Sequence, residues 1–351
     1  MPTIKVFKHG EHAQRTPLSY PALAPIFADI IELVDLPERA DLYVFAHSLD
    51  IAVAPRALVE DWRSRRRPVI LLSEEPFWDT IWGRRPLARE RVIDTAHGPL
   101  PVIQLTHHTS PIFHFDRIPY YLLTNHRFAN TYAARFARNA QLSPADWQAL
   151  FASRRADLIF MFERRPEPYH NMRWPQGEII GLCAWRTALA EACKAGKVER
   201  LGASWQGGPT RFELDNWYLD KMIRLDGQTR MLAAFENTHQ PNYITEKIFD
   251  AFACGALPIY FASPHHRIHG FGLPETSWIN LYDLSIPDAV ERIEEITFSP
   301  EFFDAYTEAQ QRLAALFCDA GAWLDERQRL HQALQQEFTL LLEATATAQS
   351  A

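Results

Sequence analysis

Short apolar runs alternate with longer helix-like stretches twice along this chain, and that alternation restricts the fold more than any other feature. In the first third, Ile4–Phe7, Leu42–Phe45 and Val69–Leu72 read as strands, with Tyr20–Val34 and Leu58–Arg66 as helices between them. Strand, helix, strand at this spacing is the pattern of a parallel sheet with crossover helices. The segments ERVID and LPVIQL then read as strands, and Arg127–Asn139 and Pro144–Ser153 as helices. A second set begins at Asp157 with the all-apolar run LIFMF, which predicts a strand buried on both faces. A helix at about 181–195, the strand VERLGAS, the strand Met231–Phe235, a helix from Asn242 and the strand Leu257–Phe261 follow. Two such sets predict an α/β protein of two Rossmann-like domains, with ligands in the crevice outside the carboxyl ends of the strands. The expected division is residues 1–155, residues 156–325, and a C-terminal helix over 326–351 that packs across the domain junction through Leu330, Leu334, Phe338 and Leu341. The small-residue end ATATAQSA is expected to fray.

A length of 351 residues, 47% of them hydrophobic, is ample for two cores, and a net charge of −7 excludes the broad basic surface that nucleic acid demands. Cys183, Cys193, Cys254 and Cys318 lack the CxxC spacing of zinc or redox sites and read as small core residues in a reducing compartment. No apolar run of signal-peptide or membrane-spanning length is seen, so the expected location is cytoplasmic. Arg63, Arg65, Arg66, Arg67, Arg84 and Arg85 would suit a peripheral contact with anionic lipid if the acceptor is membrane-bound. Neighbouring acids make a solvated helix end the plainer reading.

The chemistry concentrates in residues 235–261, FENTHQPNYITEKIFDAFACGALPIYF. A helix over 242–254 would place Ile244, Ile248, Ala251 and Phe252 on one stripe and Tyr243, Glu246, Lys247 and Asp250 on the other, open to a ligand. Asn242 or Thr245 would cap it. Lys247 in its first turns opposes the helix dipole, which makes sense beside an anion such as a diphosphate. Glu246 would then accept from ribose hydroxyls.

This segment, with SWINLYDLS at 277–285, resembles the signature of the α-1,3/4-fucosyltransferases, glycosyltransferase family 10: FEN(S/T), (D/N)Y(V/I)TEK, then S(F/W)I and D. Asn242 stands where many members carry Asp, and Cys254 where Ala is common. The resemblance implies two Rossmann-like domains facing a cleft, the glycosyltransferase B fold, and a GDP-sugar donor held by Glu236, Asn237, Tyr243, Thr245, Glu246 and Lys247. CAWRTALAEACKAG at 183–196 resembles the helix whose arginine approaches the donor diphosphate, which falls on Arg186. The implied reaction moves L-fucose from GDP-fucose to a hydroxyl of an oligosaccharide or glycolipid with inversion, and needs a carboxylate as base. SEEP at 73–76 resembles the family's base element, with Glu74 over the family glutamate and Glu75 as the alternative. FDRIPYYLL at 115–123, preceded by His114, resembles an acceptor-side stretch and adds His114, Arg117 and Tyr120.

His107 with His108, and His265, His266 and His269, lack an acid or Cys at metal-ligand spacing and read as structural or solvated; His239 falls inside the donor motif. With no Asp-x-Asp suited to a metal on the diphosphate, no metal or other cofactor is expected, since Lys247, Arg186 and a helix N-terminus can neutralise the leaving group. Two other readings keep part of this picture: a transferase of the same fold with another nucleotide sugar, and a non-catalytic nucleotide-sugar-binding protein.

Overall fold

The computed structural model describes residues 3–350. The chain divides into two units, Met1–His126 with Trp323–Ala351, and Arg127–Ala322. The boundary therefore falls near residue 126 rather than 155: the helices His126–Asn139 and Pro144–Ala152 go almost wholly with the second unit, and the C-terminal helix returns to the first from Trp323.

The first unit is a six-stranded sheet of β1 (Ile4–Lys8), β2 (Ile31–Leu33), β3 (Leu42–Phe45), β4 (Val69–Leu72), β5 (Glu90–Thr95) and β6 (Gly98–Leu105), in the order β2-β1-β3-β4-β6-β5. All pairs are parallel except the edge hairpin β5–β6. β3 and β4 are buried along their whole length, as their continuous apolar runs require of a sheet covered on both faces. The predicted helix over 20–34 is not formed. Pro21 and Pro25 interrupt that stretch, a short 3-10 turn occupies Ala24–Phe27, and Ile31–Leu33 becomes the edge strand.

The second unit carries a parallel sheet and a small antiparallel one. Its strands are β7 (Ala156–Met161), β8 (Arg173–Trp174), β9 (Ile179–Gly181), β10 (Val198–Leu201), β11 (Thr229–Ala233), β12 (Thr238–His239), β13 (Leu257–Tyr260) and β14 (Ile279–Asn280). The parallel sheet runs β10-β7-β11-β13-β14, and β12-β9-β8 form the antiparallel one, which the sequence reading missed. In both units the chain reverses its direction of winding beside the first strand, between β1 and β3 and between β7 and β11. Beyond the carboxyl ends of such strand pairs, open α/β sheets place their ligands.

The C-terminal region forms the helices Pro300–Phe317 and Ala320–Ser350. The last of these runs on through the ATATAQS segment that was expected to fray, while Ala351 lies outside the described residues. Leu330, Leu334 and Phe338 are fully buried, as their spacing predicted. Cys183, Cys193 and Cys254 are buried free thiols, but Cys318 is exposed rather than core. Among the described residues no helix is long and apolar enough to cross a membrane.

Candidate functional site

The carboxyl end of β11 leads directly into Phe235, Glu236 and Asn237, beside the switch point of the second sheet. The expected helix over 242–254 begins only at Glu246 and ends at Ala253. Thr245 occupies its N-cap position but caps nothing with its hydroxyl, because that hydroxyl is bonded to Glu236. The Glu236 carboxylate collects the Thr245 N–H at 2.8 Å, the Thr245 Oγ1 at 2.8 Å and the Lys247 Nζ at 2.8 Å. A buried anion of the chain itself therefore sits at this helix start, where the dipole and the first N–H groups favour one.

The polar stripe predicted to be open is largely buried. Tyr243, Glu246 and Asp250 are 2%, 5% and 0% exposed, and only Lys247 is half-buried. What allows three acids inside is a second cation that sequence reasoning missed, Lys221, on the helix Trp217–Leu225. Its Nζ lies 2.7 Å from Asp250 Oδ2 and 3.6 Å from Glu246 Oε1. Tyr132 and Tyr218 each donate a hydroxyl to Asp250 Oδ1, at 2.8 and 3.0 Å. Burial alone would raise the Glu246 carboxyl, but Lys247 and Lys221 outweigh it and hold it at about 2. For Glu236 and Asp250 burial prevails, and both are shifted upward. Glu246 Oε2 is buried with no hydrogen-bond partner among the described residues, so the fixed carboxylate keeps one acceptor atom unfilled.

Arg186 lies in the helix Cys183–Ala192 and is 2% exposed. Its Nη1 donates to the carbonyls of Phe235 and Glu236, both at 3.2 Å, and its guanidinium carbon stands 4.6 Å from the centre of the Phe162 ring. Asn237 contributes its carbonyl, which accepts the Leu182 N–H at 2.9 Å and ties the start of the helix to the motif. The structure thus brings Arg186, Glu236, Asn237, Thr245, Glu246 and Lys247 together at one strand end. Tyr243 is buried beside them in the chain. His239 is buried too, its ring stacked on His266 and its titration pushed down to about 4 by burial.

In the first unit the corresponding rim holds the segments that follow β1, β3, β4 and β6. Glu74 follows β4 and is 3% exposed. Its Oε1 accepts from Arg15 Nε at 2.8 Å and from the Tyr20 hydroxyl, and its Oε2 from the Tyr120 hydroxyl at 2.8 Å. Burial first, then the neighbouring Glu74, pushes both tyrosines well above their ordinary range. Glu75 turns its carboxylate to the Phe77 N–H, capping the short helix Pro76–Trp78. Of the acceptor-side residues, Tyr120 reaches Glu74, whereas His114 and Arg117 are exposed. Glu326 on the C-terminal helix secures that stretch by accepting the N–H groups of Asp116, Arg117 and Ile118. His107 is buried and bonded to the Glu74 carbonyl at 3.1 Å. Among the described residues no group of three His, Cys, Asp or Glu side chains stands placed to hold a metal ion.

With this arrangement in view, the comparisons are specific. Residues 197–336 match the profile of glycosyltransferase family 10 (fucosyltransferase), C-terminal part, a stretch that includes Lys221, Glu236 and the helix start at Glu246. Over this segment the chain is similar to glycosyltransferase family 10. It is also 31% identical over 94 residues to α-(1,3)-fucosyltransferase B of Drosophila melanogaster, a match that covers 26% of this chain and 21% of that protein. The chain thus matches about a fifth of the length of that curated relative. Among solved structures, an α1,3-fucosyltransferase crystallised with GDP-fucose aligns over 98% of this chain and 90% of its own, at 15% identity and a TM-score of 0.45. The same enzyme type without a named ligand gives a TM-score of 0.40 at 16% identity, with the same coverage. At these scores the description of the fold rests on the sheets themselves.

Proposed function

We propose that the protein is an inverting glycosyltransferase that moves L-fucose from GDP-fucose to a hydroxyl of an oligosaccharide or glycolipid, in an α-1,3/4-type linkage. The observation that carries this reading is the coincidence of the family match with a built polar site. Inside the matched stretch, at a switch-point strand end, stand the buried carboxylates of Glu236, Glu246 and Asp250, the lysines Lys221 and Lys247, and an unfilled acceptor atom on Glu246. Glu246 Oε2 suits ribose hydroxyls. Lys247, Arg186 and the helix start at Glu246 suit a diphosphate, with the chain's own cations rather than a metal ion neutralising the leaving group.

Glu236, Glu246 and Asp250 are balanced by Lys221, Lys247 and Arg186, so the site carries no surplus positive charge. A diphosphate must draw Lys247 away from Glu236, which makes Glu236 the internal competitor of the donor. The fucosyl group and the α-(1,3) linkage are supported by the family's description and by the name of the Drosophila relative. In this reading the first unit binds the acceptor and takes its proton. Glu74 is the residue that the family pattern implies for that step, and it serves once an acceptor hydroxyl displaces one of its three donors.

Thermal melts against GDP, UDP, ADP and GDP-sugars test the donor assignment, since a ligand stabilises according to its concentration over its dissociation constant. GDP and GDP-fucose are expected to raise the melting temperature, and Lys247→Ala to abolish the rise. A rise with UDP alone would overturn the guanine assignment.

A further inference from the structure

We infer, resting on the reading above, that His12, Trp78 and Trp82 form an acceptor subsite, which holds the pyranose ring adjoining the sugar whose hydroxyl faces Glu74. Glu74 keeps the proton transfer. The subsite decides which glycans are presented to it.

The segments that follow β1, β3 and β4 each bring rings to one strand-end rim. His12 follows β1, His47 follows β3, and Trp78 and Trp82 follow β4 shortly after Glu74. His47 lies at the centre, its ring 4.8 Å from His12, 4.8 Å from Trp78 and 5.4 Å from Trp82. It is buried, whereas Trp82 is 42% exposed and the His12 side chain 35%. Two exposed rings therefore flank a buried one, and half-buried Trp78, 4.9 Å from His12, extends the floor. Trp78 also leads to the base. The Arg15 guanidinium lies 5.1 Å from its ring, and Arg15 Nε donates to Glu74 Oε1 at 2.8 Å. His12 and Trp82 thus stand further out from Glu74 than Trp78 does, which suits the neighbouring sugar rather than the reacting one.

The chemistry of these groups matches a neutral pyranose. Such a ring has a face of C–H groups, which packs against the negative face of an indole, and an edge of hydroxyls that need partners. Among the described residues the Nε1–H groups of Trp78 and Trp82 and the Nε2 of His12 have no hydrogen-bond partner. His12 is held in a fixed orientation. Its Nδ1 lies 3.1 Å from Asp50 Oδ1 and 3.3 Å from Oδ2, and its backbone N–H donates to Oδ2 at 3.0 Å. Asp50 is buried, and a buried carboxylate on Nδ1 selects the tautomer with the proton there, so Nε2 carries a lone pair for a sugar hydroxyl. Gly10 makes this possible: its φ is +110°, and a Cβ there would collide with the Asp50 carboxylate, so only glycine lets Asp50 come up beneath His12. Burial first, and then His12, lowers the titration of His47 to about 4, which leaves the floor uncharged at neutral pH. The nearest cation, Arg15, is paired with Glu74, so nothing here is spare for a phosphate or an acidic sugar.

The test uses the full chain, GDP-fucose, and a panel of β-linked disaccharides of galactose, glucose and N-acetylglucosamine with their constituent monosaccharides, with GDP release as readout. Trp82→Ala is expected to raise the KM of the best disaccharide about five- to tenfold, the weight of one stacked ring. Its kcat, its KM for GDP-fucose and its GDP-induced melting shift should stay within about twofold of wild type, and Trp82→Phe should recover part of the lost affinity. His12→Gln should raise the same KM, while the KM of a monosaccharide acceptor should change by less than about twofold in either variant. Saturation-transfer nuclear magnetic resonance of the disaccharide without donor gives a second readout. The C–H protons of the ring that does not carry the reacting hydroxyl should receive the stronger saturation, and Trp82→Ala should remove it. A disaccharide KM within about twofold of wild type in Trp82→Ala overturns the inference, as does an equal loss for monosaccharide and disaccharide, or a saturation pattern that Trp82→Ala leaves unchanged. Absence of GDP release from GDP-fucose by the wild type, with melting shifts only for other nucleotides, overturns the donor reading instead, and the saturation pattern then still decides the subsite.

Discussion

Lys221→Met tests whether the acid cluster of the second unit is held by charge pairing. The ammonium lies 2.7 Å from Asp250 Oδ2 and 3.6 Å from Glu246 Oε1, both carboxylates being buried. At an effective dielectric of about 20 these separations correspond to attractions of roughly 6 and 5 kcal/mol, set against a desolvation cost of several kcal/mol for the ammonium. Removing one partner of such a cluster strands the others, and a loss of about 3–5 kcal/mol is expected. For a unit of this size that lowers the melting temperature by roughly 6–20 °C. The pH dependence gives a second check. Asp250 already titrates above its ordinary range because of burial, and without Lys221 it must rise further. A carboxyl with a raised folded pKa costs stability above that pKa, and the cost fades as pH falls below it. The deficit of Lys221→Met should therefore be largest near pH 8 and shrink toward pH 5. GDP should also bind more weakly, because Glu246 loses one of the cations that hold it. Calorimetric melts of wild type and variant at several pH values measure this. A shift under about 2 °C, or a deficit that grows on acidification, would refute the reasoning.

Two further outcomes follow from the first unit. Gly10→Ala combines a left-handed backbone with a clash on Asp50, whereas Gly208→Ala meets a similar φ of +105° with no atom within 4 Å; melts should show a larger loss for the former, by about 1–3 kcal/mol, and equal losses would contradict the packing assigned to Asp50. Asp79 is raised by burial to about 8, so its ionisation costs stability progressively from about pH 4 up to that value. Asp79→Asn should gain on the wild type by a few kcal/mol between pH 5 and pH 8, and parallel stability profiles would show that Asp79 is not protonated when folded.

Most of the fold was legible because buried parallel strands leave continuous apolar runs: Leu42–Phe45 and Val69–Leu72 were read to the residue. The stretch 20–34 was misread because helical spacing of apolar residues outweighed Pro21 and Pro25 and the β-branched pair Ile30–Ile31. Two-residue strands such as β8 and β12 are too short for any periodicity to reveal them. At the site, the motif located Glu236, Glu246 and Lys247, but helical spacing wrongly opened Asp250 to solvent. Its partner Lys221 lies on another helix, and long-range charge pairing leaves no local trace.

The most direct measurement is the transfer itself: incubation of the protein with GDP-β-L-fucose and a glycan acceptor, with nuclear magnetic resonance of the product's anomeric proton. The account predicts GDP release matched by an α-fucoside, abolished by Lys247→Ala through lost donor binding. A β-fucoside would contradict inversion. GDP-fucose that binds yet yields neither free GDP nor a fucosylated product across a broad acceptor panel would contradict the claim that this is a transferase.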